Sequence, residues 1–282
     1  MNAVVNWNDQ DIGPHVSFGK LGSVFGARMT LEAVRERAPA VFATGKDERL
    51  SARYAFIPTE RVLSGLMDAG FTVVDARQSN RRGIRTQHGR HLVRLRRRVE
   101  TIQLRDSVPE VVFLNSHDGS SAYQLRMGLY RAICTNGMIV SCGAFPAVCV
   151  THRGDVADQV IEGAVKLSDR FDELAAQVDR MEQRQLGSDE QRAFAECALA
   201  LRYPSMEDCG VDPMRLLFCR RLQDVGDDLW NVLNRVQENL IGGGAFKRAA
   251  NGRWMRMRRV SAIRAEVKLN TRLWELAAGL LR

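Results

Sequence analysis

The stretch that decides the fold is HLVRLRRRV, residues 91–99, in which apolar and charged side chains alternate. A period of two places Val93, Leu95 and Val99 on one face of a β-strand and the arginines between them on the other. Two neighbouring segments, FTVVDA at 71–76 and EVVFLN at 110–115, are rich in β-branched residues and predict two more strands.

The pair Asp118-Gly119 lies between two extended runs and predicts a hairpin. The run that follows, residues 120–134, fits either a strand or a helix, because its apolar residues satisfy both periods. We favour the strand, since the hairpin turn needs a partner for the preceding strand. Before the sheet, residues 1–28 predict an extended arm, Thr30 predicts the cap of a short helix, and a second helix is expected after Pro58.

After His152 the apolar residues recur at steps of three and four, the pattern of a heptad seam. The pattern predicts one helix from 157 to 181, which pairs either within the chain or with a second copy. Its seam residues are Ala157, Val160, Ala164, Leu167, Phe171, Leu174, Val178 and Met181.

Further helices are expected after Ser188, with a capping box to Gln191, and after Asp212, over 227–241 and around Leu273. The predicted fold class is therefore α+β. An antiparallel, sheet-rich N-terminal half with flanking helices (1–152) precedes an all-helical C-terminal half (153–282).

The composition favours a cytoplasmic protein with a substantial core. The chain has 282 residues, of which 45% are hydrophobic, and its longest apolar stretch, 138–150, is broken by Ser141, Gly143 and Pro146. No apolar run follows a basic start, so no leader is predicted. The six cysteines show no CxxC spacing and are read as reduced thiols; Cys149 and His152 fit a strand end better than a metal site. Neither a cofactor nor a metal is predicted.

Positive charge is concentrated in two stretches. Residues 77–105 hold ten arginines and one acid, and residues 245–272 hold nine cations and one acid. The stretches carry +9 and +8 while the whole chain is +8, so all other residues sum to −9. Two local surfaces of this kind are typical of proteins that bind a polyanion.

In the first stretch the alternating arginines predict a row of guanidinium groups about 6.7 Å apart on one face of the strand, which we call the comb. This spacing suits successive phosphates of a nucleic-acid strand. The arginines of the preceding loop would clamp the bound backbone. The alternative is a solvated edge strand that charge protects from pairing. The predicted contacts are Arg94, Arg96 and Arg98 for the comb and Arg81, Arg82, Arg85 and Arg90 for the clamp.

The second stretch follows three glycines, 242–244, and places Phe246 and Trp254 among cations. Such a flexible basic loop suits stacking on unpaired bases together with charge pairing to phosphates. The alternative is a surface loop whose Trp254 and Met255 pack into the core. The remaining predicted contacts here are Lys247, Arg248, Arg253, Arg256 and Arg258.

The motif NSHDGSS, residues 115–121, contains Ser, His and Asp, but adjacent strand residues point to opposite faces, so they form no catalytic relay. We favour a polar turn fixed by side-chain-to-backbone hydrogen bonds over a divalent ion held by His117 and Asp118. The sequence has no phosphate-binding loop of the GxxxxGK[ST] type and no evident pair of catalytic carboxylates. No enzyme activity is predicted.

Several of these motifs together resemble a phage- and plasmid-related family known only as a domain of unknown function. The resemblance spans 30–280 and implies a protein of a mobile genetic element, but no activity, so no catalytic residue is carried over. The motifs are Pro58-Thr59, Ala69-Gly70-Phe71, HLVRLR at 91–96, NSHDGSS at 115–121, YRAICTNG at 130–137, LWNVLN at 229–234, Leu269-Asn270 and Leu273-Trp274.

The order of elements, a helix followed by antiparallel strands with a basic hairpin, is similar to the core of single-strand annealing recombinases of the Rad-fifty-two and phage beta type. That likeness implies a basic groove for single-stranded DNA and ring-shaped oligomers.

The sequence thus predicts a nucleic-acid-binding protein of a mobile genetic element that binds, and anneals or protects, single-stranded DNA. A homo-oligomer through helix 157–181 is one of its two alternative pairings, the other being a helical hairpin within one subunit. No membrane association is expected. One alternative is a counter-defence or adaptor protein that binds another protein through its acidic helical half. The other is a metal-dependent nuclease that uses His117 and Asp118.

Overall fold

The computed structural model describes residues 28–52, 54–79, 86–97, 107–131, 137–140, 147–150, 156–205, 209–248 and 252–282. The chain divides into two compact units. The first comprises 1–137 and 143–172, and the second comprises 138–142 and 173–282. Apart from Arg28, the arm expected over residues 1–28 lies outside the described residues.

The first unit is built on an antiparallel sheet. Its strands β1 (Phe71–Gln78), β2 (His91–Arg97), β3 (Ser107–Asn115) and β4 (Tyr123–Arg131) are neighbours in chain order, and β6 (Val148–Val150) also pairs with β4. Strand β5 (Met138–Val140) belongs to the second unit. The antiparallel sheet is confirmed, as is the strand interpretation of the run after Gly119.

One face of this sheet is apolar because the strand register aligns the alternating hydrophobic residues. Val73, Leu95, Val111 and Met127 stand opposite one another across four strands, and all are buried. Helix α1 (Leu31–Arg37) begins at the predicted cap, where the Thr30 hydroxyl accepts from the Ala33 amide at 3.2 Å. Helices α2 (Thr59–Asp68) and α3 (Val156–Ser168) contact each other and the sheet.

The second unit contains helices α4 (Phe171–Gln183), α5 (Ser188–Arg202), α6 (Leu229–Gly242) and α7 (Ile263–Gly279). Trp230 and Trp274 meet edge to face in its core, with ring centroids 6.5 Å apart. Short 3₁₀ turns cover Pro213–Leu217 and Leu222–Asp224, and a hairpin is formed by β7 (Phe246–Arg248) and β8 (Trp254–Arg256). The prediction of an all-helical C-terminal half is therefore wrong at this hairpin.

The prediction of one helix over 157–181 is also wrong. The helix ends at Ser168 and a new one begins at Phe171, after a two-residue turn at Asp169 and Arg170. All eight seam residues are buried within a single chain. The seam therefore serves the protein's own core and offers no apolar face to a second copy.

Two helix starts differ from the prediction. Gly187, and not Ser188, caps α5, and the Glu190 carboxylate accepts from the Gly187 amide at 2.9 Å. Asp212 caps a 3₁₀ turn and no α-helix. Within the described residues, no helix is both long and apolar enough to cross a bilayer.

Candidate nucleic-acid interface

Two of the comb arginines are held by a buried carboxylate of the next strand. Glu110 is fully buried, and it accepts from Arg94 Nε at 2.7 Å and from Arg96 Nη2 at 2.7 Å. Arg94 stands opposite Val112, so Glu110, two residues away, shares its face of the sheet. The Arg94 guanidinium also lies 3.4 Å from the centre of the Tyr130 ring.

These contacts correct the expectation of an outward comb. The side chains of Arg94 and Arg96 are only 18% exposed, and their charge is partly neutralised by Glu110. Moving them onto phosphates would leave a buried carboxylate without its partners, which is strongly unfavourable. Their predicted role as phosphate contacts stays a prediction, but the structure assigns both side chains to the folded sheet.

Of the residues predicted for the clamp, the structure describes only Arg90, which donates to the Ser120 carbonyl, and its role as a clamp stays a prediction. Burial opposes a lowering of the Asp118 pKa, but hydrogen bonds from Ser120 and Ser116, and after them the charge of Arg90, lower it. The other predicted contacts of the first stretch, Arg81, Arg82, Arg85 and Arg98, lie outside the described residues.

The 115–121 motif forms the polar turn that we favoured. Ser116 Oγ accepts from the Ser121 amide at 2.9 Å, and Asp118 Oδ1 accepts from the Ser120 amide at 2.9 Å. Gly119 has a φ of +73°, which disfavours other residues there. The motif is thus explained by local hydrogen bonding that links β3 to β4.

Behind this turn lies a buried polar cluster centred on the Thr59 hydroxyl. Thr59 Oγ1 is 3.1 Å from His91 Nε2, 3.0 Å from His117 Nε2 and 2.9 Å from the Asn115 amide nitrogen. His91 Nδ1 lies 3.0 Å from the Gly89 carbonyl, which only accepts, so the His91 proton sits on Nδ1. Thr59 then donates to His91 and accepts from Asn115 and His117.

The histidines of the cluster are buried and hydrogen-bonded. Burial lowers the pKa of His91 to about 4, against the opposing effects of the Gly89 carbonyl and Asp118, so this ring is neutral at pH 7. His117 is fully buried and bonds to Thr59, whereas Asp118 bonds to its own turn. Among the described residues, no group of three or more His, Cys, Asp or Glu could hold a metal ion. Sequence reasoning missed the cluster, because only the tertiary fold brings α2, β2 and the turn together.

The β7–β8 hairpin presents an exposed face of alternating rings and cations. Phe246 stands opposite Arg256, and Arg248 stands opposite Trp254. Directly opposed residues, and residues two apart, share a face of a strand pair, so these four side chains project together. All four are exposed, Trp254 to 67%, and the Arg256 guanidinium lies 5.2 Å from the centre of the Phe246 ring. We call them the hairpin face.

The hairpin is fixed at its base and near its turn by backbone hydrogen bonds. Met257 N donates to Ala245 O at 2.8 Å, and Arg248 N donates to Gly210 O at 2.8 Å. Gly243 has a φ of +72°, and a Cβ there would lie 2.5 Å from the Met257 carbonyl oxygen. The glycines therefore permit a close approach of the chain. The predicted flexible loop is a strand pair, and the alternative that placed Trp254 and Met255 in the core is wrong, because both are exposed.

The cations of the hairpin face differ from those of the sheet in their surroundings. Within the part of the chain that the structure describes, no carboxylate pairs with Arg248, Arg256 or Arg258. Lys247 is on the opposite face, half-buried, with its ammonium 5.7 Å from the centre of the Tyr203 ring. Arg253 is exposed at the start of β8. Arg248 and Arg256 are the cations best placed to meet an external anion.

The fold and this interface define a protein with an antiparallel sheet unit and a helical unit that carries a basic, aromatic hairpin. The chain belongs to the family described as Domain of unknown function (DUF932), whose model matches residues 48–274. This confirms membership of a family of unknown function; the link to phages and plasmids stays a prediction.

Two curated relatives come from Escherichia coli strain K12. The UPF0380 protein YafZ is 40% identical over 272 residues, which cover 93% of this chain and 98% of the relative. The UPF0380 protein YfjQ is 39% identical over 272 residues, with the same 93% and 98% coverage. No solved structure matches the chain.

Proposed function

We propose that the protein binds single-stranded nucleic acid, in the first place DNA, through the hairpin face. The observation that carries the proposal is the arrangement, on one side of a strand pair, of two exposed rings and two cations that pair with no carboxylate among the described residues. Aromatic rings stack on unpaired bases with about 1–3 kcal/mol per base, whereas a duplex hides the faces of its bases. Guanidinium groups beside the rings would pair with the phosphates.

In this proposal the nucleic acid contacts mainly the second basic stretch, 245–272, and not the first, 77–105. Arg94 and Arg96 are engaged by Glu110, whereas Arg248 and Arg256 face solvent. The resemblance to phage- and plasmid-related proteins supports a role in a mobile genetic element. The likeness in element order to annealing recombinases makes strand annealing and strand protection the activities to assay once binding is measured.

The test is a titration of fluorescently labelled single-stranded DNA, duplex DNA and RNA at several salt concentrations. Single strands should bind tightest, and log affinity should fall with log salt. The double variant Arg248→Gln/Arg256→Gln should reduce the slope by about 1.4, since each phosphate contact on a single strand contributes about 0.7.

The matched control is Arg264→Gln/Lys268→Gln, which removes the same charge from exposed positions of α7. This control should change the slope far less than the hairpin variant. Equal slopes for the two variants, or a preference for duplex DNA, would contradict the proposal.

A further inference from the structure

All large apolar side chains that are exposed among the described residues lie in two segments of the second unit. Three belong to the hairpin, Phe246, Trp254 and Met255. The other four belong to the segment 212–225, which we call the ribbon: Met214, Phe218, Leu222 and Val225. Leu222 is 88% exposed. Apolar side chains concentrated in this way mark interaction surfaces.

The ribbon is anchored on α6 by hydrogen bonds, although its apolar side chains are exposed. The Asn239 amide donates to the carbonyls of Leu216 at 2.9 Å and Phe218 at 2.8 Å. Arg221 makes a two-pronged ion pair with Glu238, with contacts of 2.7 and 3.1 Å. The exposure is therefore a fixed property of the fold, and a partner would meet a preorganised surface.

The chemistry of the ribbon suits a protein partner. Three of its four exposed apolar side chains, Met214, Leu222 and Val225, are not aromatic, so only Phe218 offers a ring on which a base could stack. Two exposed arginines, Arg215 and Arg220, accompany them, and no carboxylate among the described residues pairs with either. The complementary surface would have small or apolar side chains beside carboxylates.

Helix α5 of this same chain presents such a surface. Its exposed side carries small residues at helical spacing, Ala193, Cys197 and Ala200, beside the exposed carboxylates of Asp189 and Glu196, of which Glu196 pairs with Arg192. No cation among the described residues pairs with Asp189. Small side chains leave room for the protruding Phe218 and Leu222, and Asp189 complements the ribbon arginines.

We propose that the ribbon of one molecule docks on α5 of a second copy. In a head-to-tail arrangement, in which the ribbon of each copy meets α5 of the next, this contact builds rings or open chains. The contact replaces the predicted association through 157–181, whose seam is buried in one chain. It is independent of the hairpin face, so it is tested without nucleic acid.

The experiment is sedimentation velocity over a range of protein concentrations, on protein freed of nucleic acid. The wild type should form assemblies larger than dimers as concentration rises. Leu222→Asp, which removes the ribbon's most exposed apolar side chain, and Ala193→Arg, which fills the α5 face and repels the ribbon arginines, should each weaken association by about tenfold or more. Both positions are exposed, so both variants should fold.

Mixing these two variants gives the sharpest readout, because each keeps the surface that the other lacks. The mixture should form a one-to-one dimer and stop there. The controls Gln223→Asp, beside Leu222 in sequence, and Ala176→Arg, at an exposed position of α4, should assemble like the wild type. A wild type that stays monomeric, variants that assemble normally, or a mixture without dimer would overturn the proposal. So would a Leu222→Asp variant that loses affinity for single strands with assembly unchanged, since the ribbon would then belong to the nucleic-acid interface.

Discussion

Replacing Glu110 by glutamine tests the correction made to the arginine comb. The carboxylate is fully buried and accepts three hydrogen bonds, two from Arg94 at 2.7 and 3.0 Å and one from Arg96 at 2.7 Å. An amide of the same size removes the negative charge and places an N–H group against guanidinium donors. Breaking a buried ion pair in this way costs about 3–5 kcal/mol.

We expect Glu110→Gln to fall near the lower end of that range. Arg94 keeps the face of the Tyr130 ring, and its Nη1 lies 3.9 Å from the Asp75 carboxylate. The measurement is the free energy of unfolding in urea at pH 7, followed by circular dichroism. A loss of this size is a large part of the 5–15 kcal/mol that typically stabilises a folded protein.

The matched control is Glu162→Gln, which removes a carboxylate from an exposed ion pair with Lys166 on α3. Surface pairs of this kind contribute little, so the control should unfold almost like the wild type. A Glu110→Gln variant as stable as the control would contradict the assignment of Arg94 and Arg96 to the folded sheet. It would return both arginines to the list of candidate phosphate contacts.

Two further predictions follow from the buried cluster and the hairpin base. The pKa of His91 is about 6.5 in the unfolded chain and about 4 in the buried site, so the unfolded chain binds a proton first as the pH falls. The free energy of unfolding should therefore decrease by about 3 kcal/mol between these two pH values. Urea titrations of the wild type and of His91→Gln check this, and an equal pH dependence in both would refute it. Gly243→Ala should strain the hairpin base, since Gly243 has a φ of +72° and a Cβ would lie 2.5 Å from the Met257 carbonyl oxygen. The substitution should lower both the stability of the protein and its affinity for single strands. The control Gly45→Ala, at a position with open space around it, should change neither.

The sheet could be predicted from sequence because its signal is local. Alternation in 91–97 and β-branched runs at 71–76 and 110–115 depend only on neighbouring residues. The pairing of Arg94 and Arg96 with Glu110 could not be predicted from the sequence, because it depends on the register between β2 and β3. Glu110 lies five residues beyond the end of the basic stretch 77–105, so it was not included in the charge count for that stretch.

The helical half shows the same limit. A heptad pattern is satisfied equally by one helix over 157–181 and by two shorter helices in succession, and periodicity does not reveal the turn at Asp169 and Arg170. Strands β7 and β8 are three residues each, too short for alternation to be recognised. The glycines at 242–244 suggested flexibility, whereas the close backbone contact at Gly243 shows a packing requirement.

The central claim is that the hairpin face stacks on unpaired bases, and one pair of variants tests it most directly. Trp254 and Met255 are adjacent and exposed, but the register places them on opposite faces of the hairpin. Anisotropy titrations with single-stranded DNA should show that Trp254→Ala weakens binding by about 1–3 kcal/mol while Met255→Ala leaves it unchanged. Equal effects of the two substitutions, or no effect of either, would contradict the account.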